Sequence, residues 1–145
     1  MHSRFLLSAA ALLAACGSAL AADYLSLAEA AVMYDTPSTK GKPLFVVRRY
    51  TPVEVVVSLG EWVKVRDADG TITWLEKRSL APTRTLLTAS RAQVRQGPDD
   101  KTPIVFEAER GVVLELQEAA PPGWAKVKHR DGQGGFIRIT LVWGL

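Results

Sequence analysis

Hydrophobic and polar residues alternate along several short stretches of this chain. In WVKVR, residues 62–66, two valines alternate with a tryptophan and two basic residues, and residues 53–58 alternate in a similar way. A period of two places successive side chains on opposite faces of a β-strand. Brief apolar runs at residues 24–27 and 44–47 also have the length of strands. The pattern therefore predicts short, half-buried strands with the valines of 62–66 in a core.

Turn signals separate these predicted strands. Asp-Gly pairs at residues 69–70 and 131–132 are typical of tight hairpins, because glycine accepts the positive φ that such turns need. Strands at 72–75 and 135–137 are predicted to complete the two hairpins. Beyond the N-terminus, the nearest approach to a helical pattern is SLAEAA, which is too short to form a stable helix alone. The fold class predicted is all-β.

The pattern also repeats. GEWVKVRDADG at residues 60–70 has a counterpart in GWAKVKHRDG at 123–132, and the first strands of the two copies align at an offset of 61. VEVVV from Val53 matches VVLEL from Val112 at an offset of 59, and three extra residues in EAAPPG then move the offset to 62. A boundary is predicted near SLAPTRT. The chain then divides into domains at residues 23–82 and 83–145, each with a small core of its own.

The second copy carries a linked set of residues: Val94, Arg95, Gly97, Pro98, Gly111, Trp124, Asp131, Gly132, Gly135, Phe136 and Ile137. In this arrangement the copy resembles a bacterial SH3-like domain. The first copy departs from the family pattern at Tyr34, Thr36 and Pro52, which stand in place of an Arg and two Gly. The resemblance implies a small five-stranded SH3-like barrel in each half. It also implies an exported module that binds a ligand, in some relatives attached to peptidoglycan-active enzymes.

The N-terminus has the character of a secretory signal. MHSR followed by FLLSAAALLAA predicts a signal peptide over residues 1–22 and export to the periplasm or cell envelope. Two cleavage patterns overlap. LAAC, which ends at Cys16, would leave a lipidated cysteine and a membrane attachment through that lipid, whereas ALA at residues 19–21 would release a soluble chain. Neither product would have a cysteine free to form a disulfide.

Charge changes this picture little. Beyond residue 22 the chain has 17 Lys and Arg against 15 Asp and Glu, a net charge of +2 spread evenly, which argues against nucleic acid as a partner. One basic stripe alternates along a predicted strand, at Lys126, Lys128 and Arg130. Such a stripe either meets an anionic partner or is a solvated strand face.

The residues that catalysis or metal binding would need are sparse. His129 is the one histidine left after processing, and a single histidine without cysteine does not supply a zinc site. The carboxylate pairs Asp67 with Asp69 and Asp99 with Asp100 lie in predicted turns, where aspartate bonds to nearby backbone. We therefore expect no catalytic residues, no metal and no cofactor.

Aromatic side chains are the better candidates for a site. If the valines of 62–66 face the core, the neighbouring tryptophan faces outward, and the same reasoning turns aromatics of the hairpin partners outward. The candidate ligand-binding residues are Tyr34, Trp62, Trp74, Trp124 and Phe136. The resemblance places Tyr34, Trp62 and Trp74 where SH3 domains line their ligand groove. The alternative is that these rings pack at the barrel ends or between the domains, and Trp143 either anchors the last strand to a core or lies between the domains.

The function predicted is a non-catalytic, exported tandem SH3-like binding module that recognises a peptidoglycan peptide or an envelope protein. Two other functions stay open at this stage. One is a structural or scaffolding envelope protein whose aromatics are used in interdomain packing. The other is a cell-wall enzyme or its accessory subunit.

Overall fold

Two β-sheets account for nearly all of the regular structure. The computed structural model describes residues 22–145, and its strands form two sheets of seven, which we call the first and second units. The predicted signal peptide, residues 1–22 with Cys16, lies outside the described residues except for its last position. The prediction of an all-β fold with two tandem units is confirmed.

The strands of the two units follow one another in the same sequence. The first unit contains β1 (Asp23–Leu27), β2 (Ala31–Tyr34), β3 (Pro43–Val47), β4 (Pro52–Leu59), β5 (Trp62–Arg66), β6 (Ile72–Glu76) and β7 (Leu80–Ala81). The second contains β8 (Thr85–Thr88), β9 (Ala92–Arg95), β10 (Ile104–Ala108), β11 (Val113–Ala119), β12 (Trp124–Lys128), β13 (Gly134–Arg138) and β14 (Val142–Trp143).

Single 3₁₀ turns precede β7 and β14. They span Lys77–Ser79 and Ile139–Leu141. Within residues 22–145, no helix has the length and apolar character needed to cross a membrane.

Each unit has seven strands where five were predicted. The additional strands of the first unit are β2 and β7. β2 has four residues of apolar or aromatic type, so no alternation marks it as a strand. β7 has two residues and follows a 3₁₀ turn, and its structure comes from antiparallel pairing with β1, at Ser26 with Ala81 and Leu27 with Leu80. A pairing between residues more than fifty positions apart leaves no local signal.

The strand order is the same in the two units. In the first it is β3-β2-β6-β5-β4-β1-β7, and in the second β10-β9-β13-β12-β11-β8-β14. Every pair is antiparallel. The central hairpin β5–β6, with β4 beside it, presents one face to the core and the other to solvent. This geometry is what allows alternate residues of β5 to carry a site.

Each unit closes around its own hydrophobic core. The core of the first unit consists of Leu27, Ala31, Met33, Val53, Val63, Val65 and Leu75. The core of the second consists of Leu86, Ala92, Val94, Leu114, Ala125, Val127 and Ile137. The two valines of 62–66 are 2% and 1% exposed, as the alternation predicts. Two separate cores are what a duplicated unit requires.

The structure corrects the register of the repeat at β4. Val53 pairs with Leu25 in the first unit, and Leu114 pairs with Leu86 in the second, so the offset at this strand is 61 rather than 59. Both residues are buried at equivalent core positions. A slip of two residues keeps every side chain on its face, so alternation alone does not distinguish the two registers.

The two units contact each other along the connection between β7 and β8. The ring of Tyr24 in β1 meets that of Trp143 in β14 edge to face, with centroids 5.2 Å apart. The Thr85 hydroxyl donates to the Tyr50 carbonyl at 2.7 Å, and the Ser26 hydroxyl donates to the carbonyl of Thr83 at 2.7 Å. Trp143 therefore lies between the units, one of the two places open to it from the sequence.

Arg84 adds to this interface. Its guanidinium carbon lies 5.6 Å from the centroid of the Tyr24 ring, and its Nη2 donates to the Gly144 carbonyl at 2.8 Å. Burial raises the pKa of the Tyr24 hydroxyl above its usual value, and the negative charge of Glu54 raises this pKa further. The hydroxyl therefore stays neutral at the interface.

Candidate functional site

The outer face of β5 carries the side chains that the alternation turned away from the core. Val63 is buried, whereas Trp62 and Lys64 are half-buried on the opposite face. In an antiparallel sheet, residues directly opposite each other share a face. The neighbours of Trp62 and Lys64 on β4 and β6 therefore decide what this face presents.

Aromatic and aliphatic side chains surround these two residues. Leu59 lies opposite Trp62, and Val57 lies opposite Lys64. On the other side, Lys64 lies opposite Trp74, which in turn lies opposite Tyr34. We call the five apolar and aromatic members of this group the aromatic surface: Tyr34, Val57, Leu59, Trp62 and Trp74.

Direct ring contacts hold the aromatic surface together. The Tyr34 and Trp62 rings meet edge to face at 85°, with centroids 5.5 Å apart. The Lys64 Nζ lies 5.5 Å from the Trp74 ring centroid, within range of a cation–π contact. The structure thus brings together three of the predicted site residues, Tyr34, Trp62 and Trp74, on one face.

A β-bulge places the aliphatic members. The pairing of β4 with β5 shifts between Val55 and Val57, so that Val55 faces the core side while Val57 lies opposite Lys64. Val57 is 47% exposed and Leu59 is 57% exposed. Strict alternation would have turned Val57 inward with Val53 and Val55, so the alternation does not hold beyond the bulge. The extra residue of a bulge reverses the faces that follow it.

The same positions carry different chemistry in the second unit. Phe136 lies opposite Lys126 on one side and Arg95 on the other. Glu118, after a bulge like that in β4, lies opposite Lys126, and its carboxylate contacts Nζ at 3.0 Å. Of the four residues that lie opposite one another here, Glu118, Lys126 and Arg95 are charged and only Phe136 is apolar. The predicted site residues Trp124 and Phe136 therefore lie apart from the other three, on the second unit.

Trp124 differs from the expectation of an open ring. It faces away from the core of the second unit, yet it is only 8% exposed. The Arg138 guanidinium covers it, with the carbon 4.2 Å from the ring centroid. Asp100 holds this guanidinium through a charge-assisted hydrogen bond. The prediction that Trp124 is available for contact is corrected, because a side chain from the neighbouring strand occupies its outer surface.

Electrostatics strengthens this cover. The hydrogen bond from Arg138 holds the pKa of the Asp100 carboxyl below its usual value. The same bond raises the pKa of the guanidinium. The pair is therefore charged on both sides at neutral pH, and the two groups border a pocket of about 300 Å³ that includes Arg95 and Glu107.

The carboxylates considered for catalysis have local partners. The Asp67 carboxylate accepts from the backbone N–H of Asp69 at 3.0 Å and of Thr71 at 2.9 Å, as in an ordinary turn. His129 contacts the Asp131 carboxylate at 3.1 Å beside the second hairpin. Among residues 22–145 no group of three or more His, Cys, Asp or Glu side chains is placed to hold a metal ion.

Sequence reasoning missed part of the site. Val57 and Leu59 join it through the bulge, and Arg138 with Asp100 closes the matching face of the second unit. The signal available for the first two was the apolar excess of VEVVVSL, which has more valines than one buried face needs. No local signal marks the pair, because its members are 38 positions apart.

Comparison with known proteins adds to this geometry. A family model described as a bacterial SH3 domain matches residues 28–82 and again residues 88–144. Among curated proteins, none matches this chain.

Three solved structures are similar to this chain at low identity. They are NlpC2 from Trichomonas vaginalis (14% identity, TM-score 0.40), NlpC1 from the same organism (16%, 0.40) and an NlpC/P60 family protein from Bacillus cereus (15%, 0.39). The matches cover 85%, 93% and 83% of this chain. They cover only 48%, 50% and 56% of the other chains, so this chain spans about half the length of those proteins.

Proposed function

The chain belongs to the bacterial SH3 domain family, and from this premise we propose that it is a non-catalytic module whose aromatic surface binds a cell-envelope ligand. Bacterial SH3 domains are generally non-catalytic, often bind cell-wall material and occur in cell-envelope proteins. The ligand proposed is an extended peptide, either the peptide of peptidoglycan or the tail of an envelope protein. Export directed by residues 1–22, with or without a lipid on Cys16, is part of the proposal.

The observation that carries the proposal is the continuity of the aromatic surface. Three rings and two aliphatic side chains lie side by side across four strands. Flat, rigid rings contact an extended chain over a large area at little cost in side-chain entropy. A peptide lying across this face would contact Trp62 and Trp74 together.

Charge favours a ligand that carries a carboxylate. Lys64 lies at the centre of the aromatic surface and, among the described residues, forms no salt bridge. Its counterpart Lys126 is paired with Glu118. A cation beside half-buried rings suits a peptide with free acidic groups, such as those of the cell wall. This difference supports the first unit as the place where the proposed ligand binds.

Retention on purified peptidoglycan tests the proposal. The chain without residues 1–22 is expected to co-sediment with purified sacculi, and the Trp62→Ala, Trp74→Ala double variant is expected to lose at least tenfold in affinity. Two contact residues each worth about 1 kcal/mol or more would produce such a loss.

A matched control is available in Phe45→Ala, which removes an exposed aromatic side chain outside the aromatic surface. Circular dichroism of all three proteins shows whether the folds are equal. Equal retention of the wild type and the double variant, with both folded, would contradict the proposal.

A scaffolding function is the second candidate, and a specific contact favours it. Tyr24 and Trp143 are used between the units, and Trp124 is covered by Arg138. If the remaining aromatics are also used for packing, ligand would leave tryptophan fluorescence unchanged. Quenching or a shift on addition of solubilised peptidoglycan peptides, lost in the Trp62→Ala, Trp74→Ala variant, would exclude scaffolding alone.

A further inference from the structure

A cleft between the two units contains an excess of positive charge. Its volume is about 590 Å³, within the range of ligand sites. The first unit contributes the turn between β3 and β4, and the second contributes β8, β11 and the turn that follows β12. The charged residues lining it are Arg48, Arg49, Glu115, Lys128 and Arg130, together with His129. With the histidine neutral, four cations and one carboxylate give a net charge of +3.

These cations are available to a ligand. Within the described part of the chain, none of Arg48, Arg49, Lys128 and Arg130 takes part in a salt bridge. This contrasts with Arg66, Arg91 and Arg138, which are each paired with a carboxylate. Like charges gathered in a concave site repel one another, and a bound anion relieves that repulsion.

Backbone strain marks the same cleft. Tyr50 has φ of 69° and is the one non-glycine residue with positive φ among residues 22–145. Its counterpart in the second unit is Gly111, with φ of 83°. The two occupy equivalent turns, since the Tyr50 amide donates to the Leu27 carbonyl at 2.8 Å and the Gly111 amide to the Thr88 carbonyl at 2.9 Å. The sequence comparison had placed Pro52 at this glycine position of the family pattern. The structure shows that the residue there is Tyr50, in a strained conformation.

The strained residue positions a cation. The Tyr50 ring is 42% exposed and borders the cleft, and the Arg49 guanidinium carbon lies 4.4 Å from its centroid. A left-handed conformation disfavours a residue with a Cβ atom, and strain of this kind persists mainly where the residue serves a function. The Tyr50 carbonyl accepts from Thr85, so the turn is also fixed to the second unit.

We propose that this cleft is a second binding site, distinct from the aromatic surface, for a ligand that carries phosphate groups. Arginine forks bind phosphate oxygens through paired hydrogen bonds, and each phosphate brings at least one negative charge to a site with four cations. Thr51 and Thr83 also line the cleft. Both units contribute, so binding depends on their relative placement.

Titration with inorganic tripolyphosphate tests the site. Calorimetry on the chain without residues 1–22 is expected to show binding that weakens with added salt. The Arg49→Gln, Arg130→Gln variant is expected to bind at least tenfold more weakly. The matched control is Lys40→Gln, Lys101→Gln, which removes the same charge from exposed turns outside the cleft and is expected to bind as the wild type does.

Tyr50→Gly separates binding from folding. The variant is expected to melt at a higher temperature than the wild type because the strain is removed, and yet to bind tripolyphosphate several-fold more weakly because Arg49 loses its ring. The Trp62→Ala, Trp74→Ala variant is expected to bind tripolyphosphate normally, so failure of one site is distinguishable from failure of the other.

The source of the phosphate is resolved by a second arm. Sedimentation with phosphatidylcholine vesicles, with and without one-third phosphatidylglycerol, reports a lipid headgroup, whereas binding of tripolyphosphate alone reports a soluble or polymeric phosphate. No binding in either arm, or an equal loss in the Lys40→Gln, Lys101→Gln control, would overturn the site.

Discussion

One residue difference decides whether the tryptophan of β5 or of β12 is available. Opposite Trp62 lies Glu76, and opposite Trp124 lies Arg138. A guanidinium is attracted to the face of an indole and covers it, whereas a carboxylate is not. Glu76 is bonded instead to Arg78 at 2.7 Å. The tryptophan pattern is the same in the two units, but only the first leaves its ring beside other aromatics.

The Arg138–Asp100 pair makes a prediction about pH. The pKa of Asp100 is lowered in the folded chain, chiefly by the hydrogen bond from Arg138. The pair therefore stabilises the cover of Trp124 above the unfolded pKa of about 3.9, and this stabilisation is lost as pH falls through the lower folded pKa. Arg138→Gln is expected to return the pKa of Asp100 toward its usual value, as measured by carboxyl ¹³C NMR.

The control for this measurement is Arg91→Gln, which removes the partner of Glu107 and is expected to raise the pKa of Glu107 while leaving Asp100 unchanged. The indole N–H signal of Trp124 should move in the Arg138→Gln variant and stay in place in the control. An Asp100 pKa that does not rise would mean that Arg138 covers the ring for packing reasons alone.

At the scale of single elements, alternation predicted which residues of a strand are buried but not what covers the rest. Val63 and Val65 follow the prediction because their burial depends on the local period. Trp124 does not, since its cover comes from Arg138 of the next strand and Asp100 of a distant turn. The local sequence determines which face of the sheet a side chain lies on. The residue that covers that side chain can come from a distant part of the sequence.

Bulges limited the prediction of the site more than any other feature. The shift between Val55 and Val57 turns Val57 outward, and the shift between Leu116 and Glu118 does the same in β11. A bulge interrupts the period without a glycine or proline to mark it here. The aliphatic half of the aromatic surface therefore needed the structure, while its three rings did not.

The bulge supplies a prediction for β4. Val57→Glu introduces at this position the side chain that Glu118 provides in the second unit, where it contacts Lys126. The free energy of unfolding is expected to change by about 0.5 kcal/mol or less, because the position is exposed and the charge faces Lys64. Retention on sacculi is expected to fall several-fold, because the new carboxylate would form a salt bridge with Lys64 and compete with the ligand for it.

Val57→Thr is the matched control, since it preserves the shape of the side chain without adding charge. The two variants are compared by sedimentation and by thermal unfolding. Undiminished retention of Val57→Glu would place the ligand elsewhere than on the aromatic surface.

At the scale of the whole molecule, the interface between the units is mixed in character. An aromatic pair, a few hydrogen bonds and the exposed pair of Arg110 with Asp69 at 3.5 Å join them. An exposed ion pair contributes little, so the rings and buried hydroxyls carry most of the contact. The orientation of the units, on which the interdomain cleft depends, rests largely on Tyr24, Trp143 and Thr85.

Trp143→Ala is therefore expected to loosen the relative orientation of the two units without unfolding either core. Loss of the edge-to-face pair costs about 1 kcal/mol beyond the buried area. The pKa of Tyr24 is expected to fall toward its usual value, since burial is the chief cause of its rise. The raised pKa means that stability from this group is present below about pH 10 and is lost as pH rises through the folded value.

Residual dipolar couplings measure the orientation of the two units, and ring signals of Tyr24 report its titration. Trp74→Ala is the control, because Trp74 is half-buried and its strand partners lie within the first unit. Unchanged couplings in the Trp143→Ala variant would show that the hydrogen bonds alone fix the orientation.

The pairing of β1 with β7, and of β8 with β14, brings the start and the end of each unit side by side. A segment whose two ends meet in this way is a cassette. Such a segment can be duplicated in tandem, inserted into a loop of another protein or circularly permuted at one of its turns. In each case the pairing of its strands is preserved.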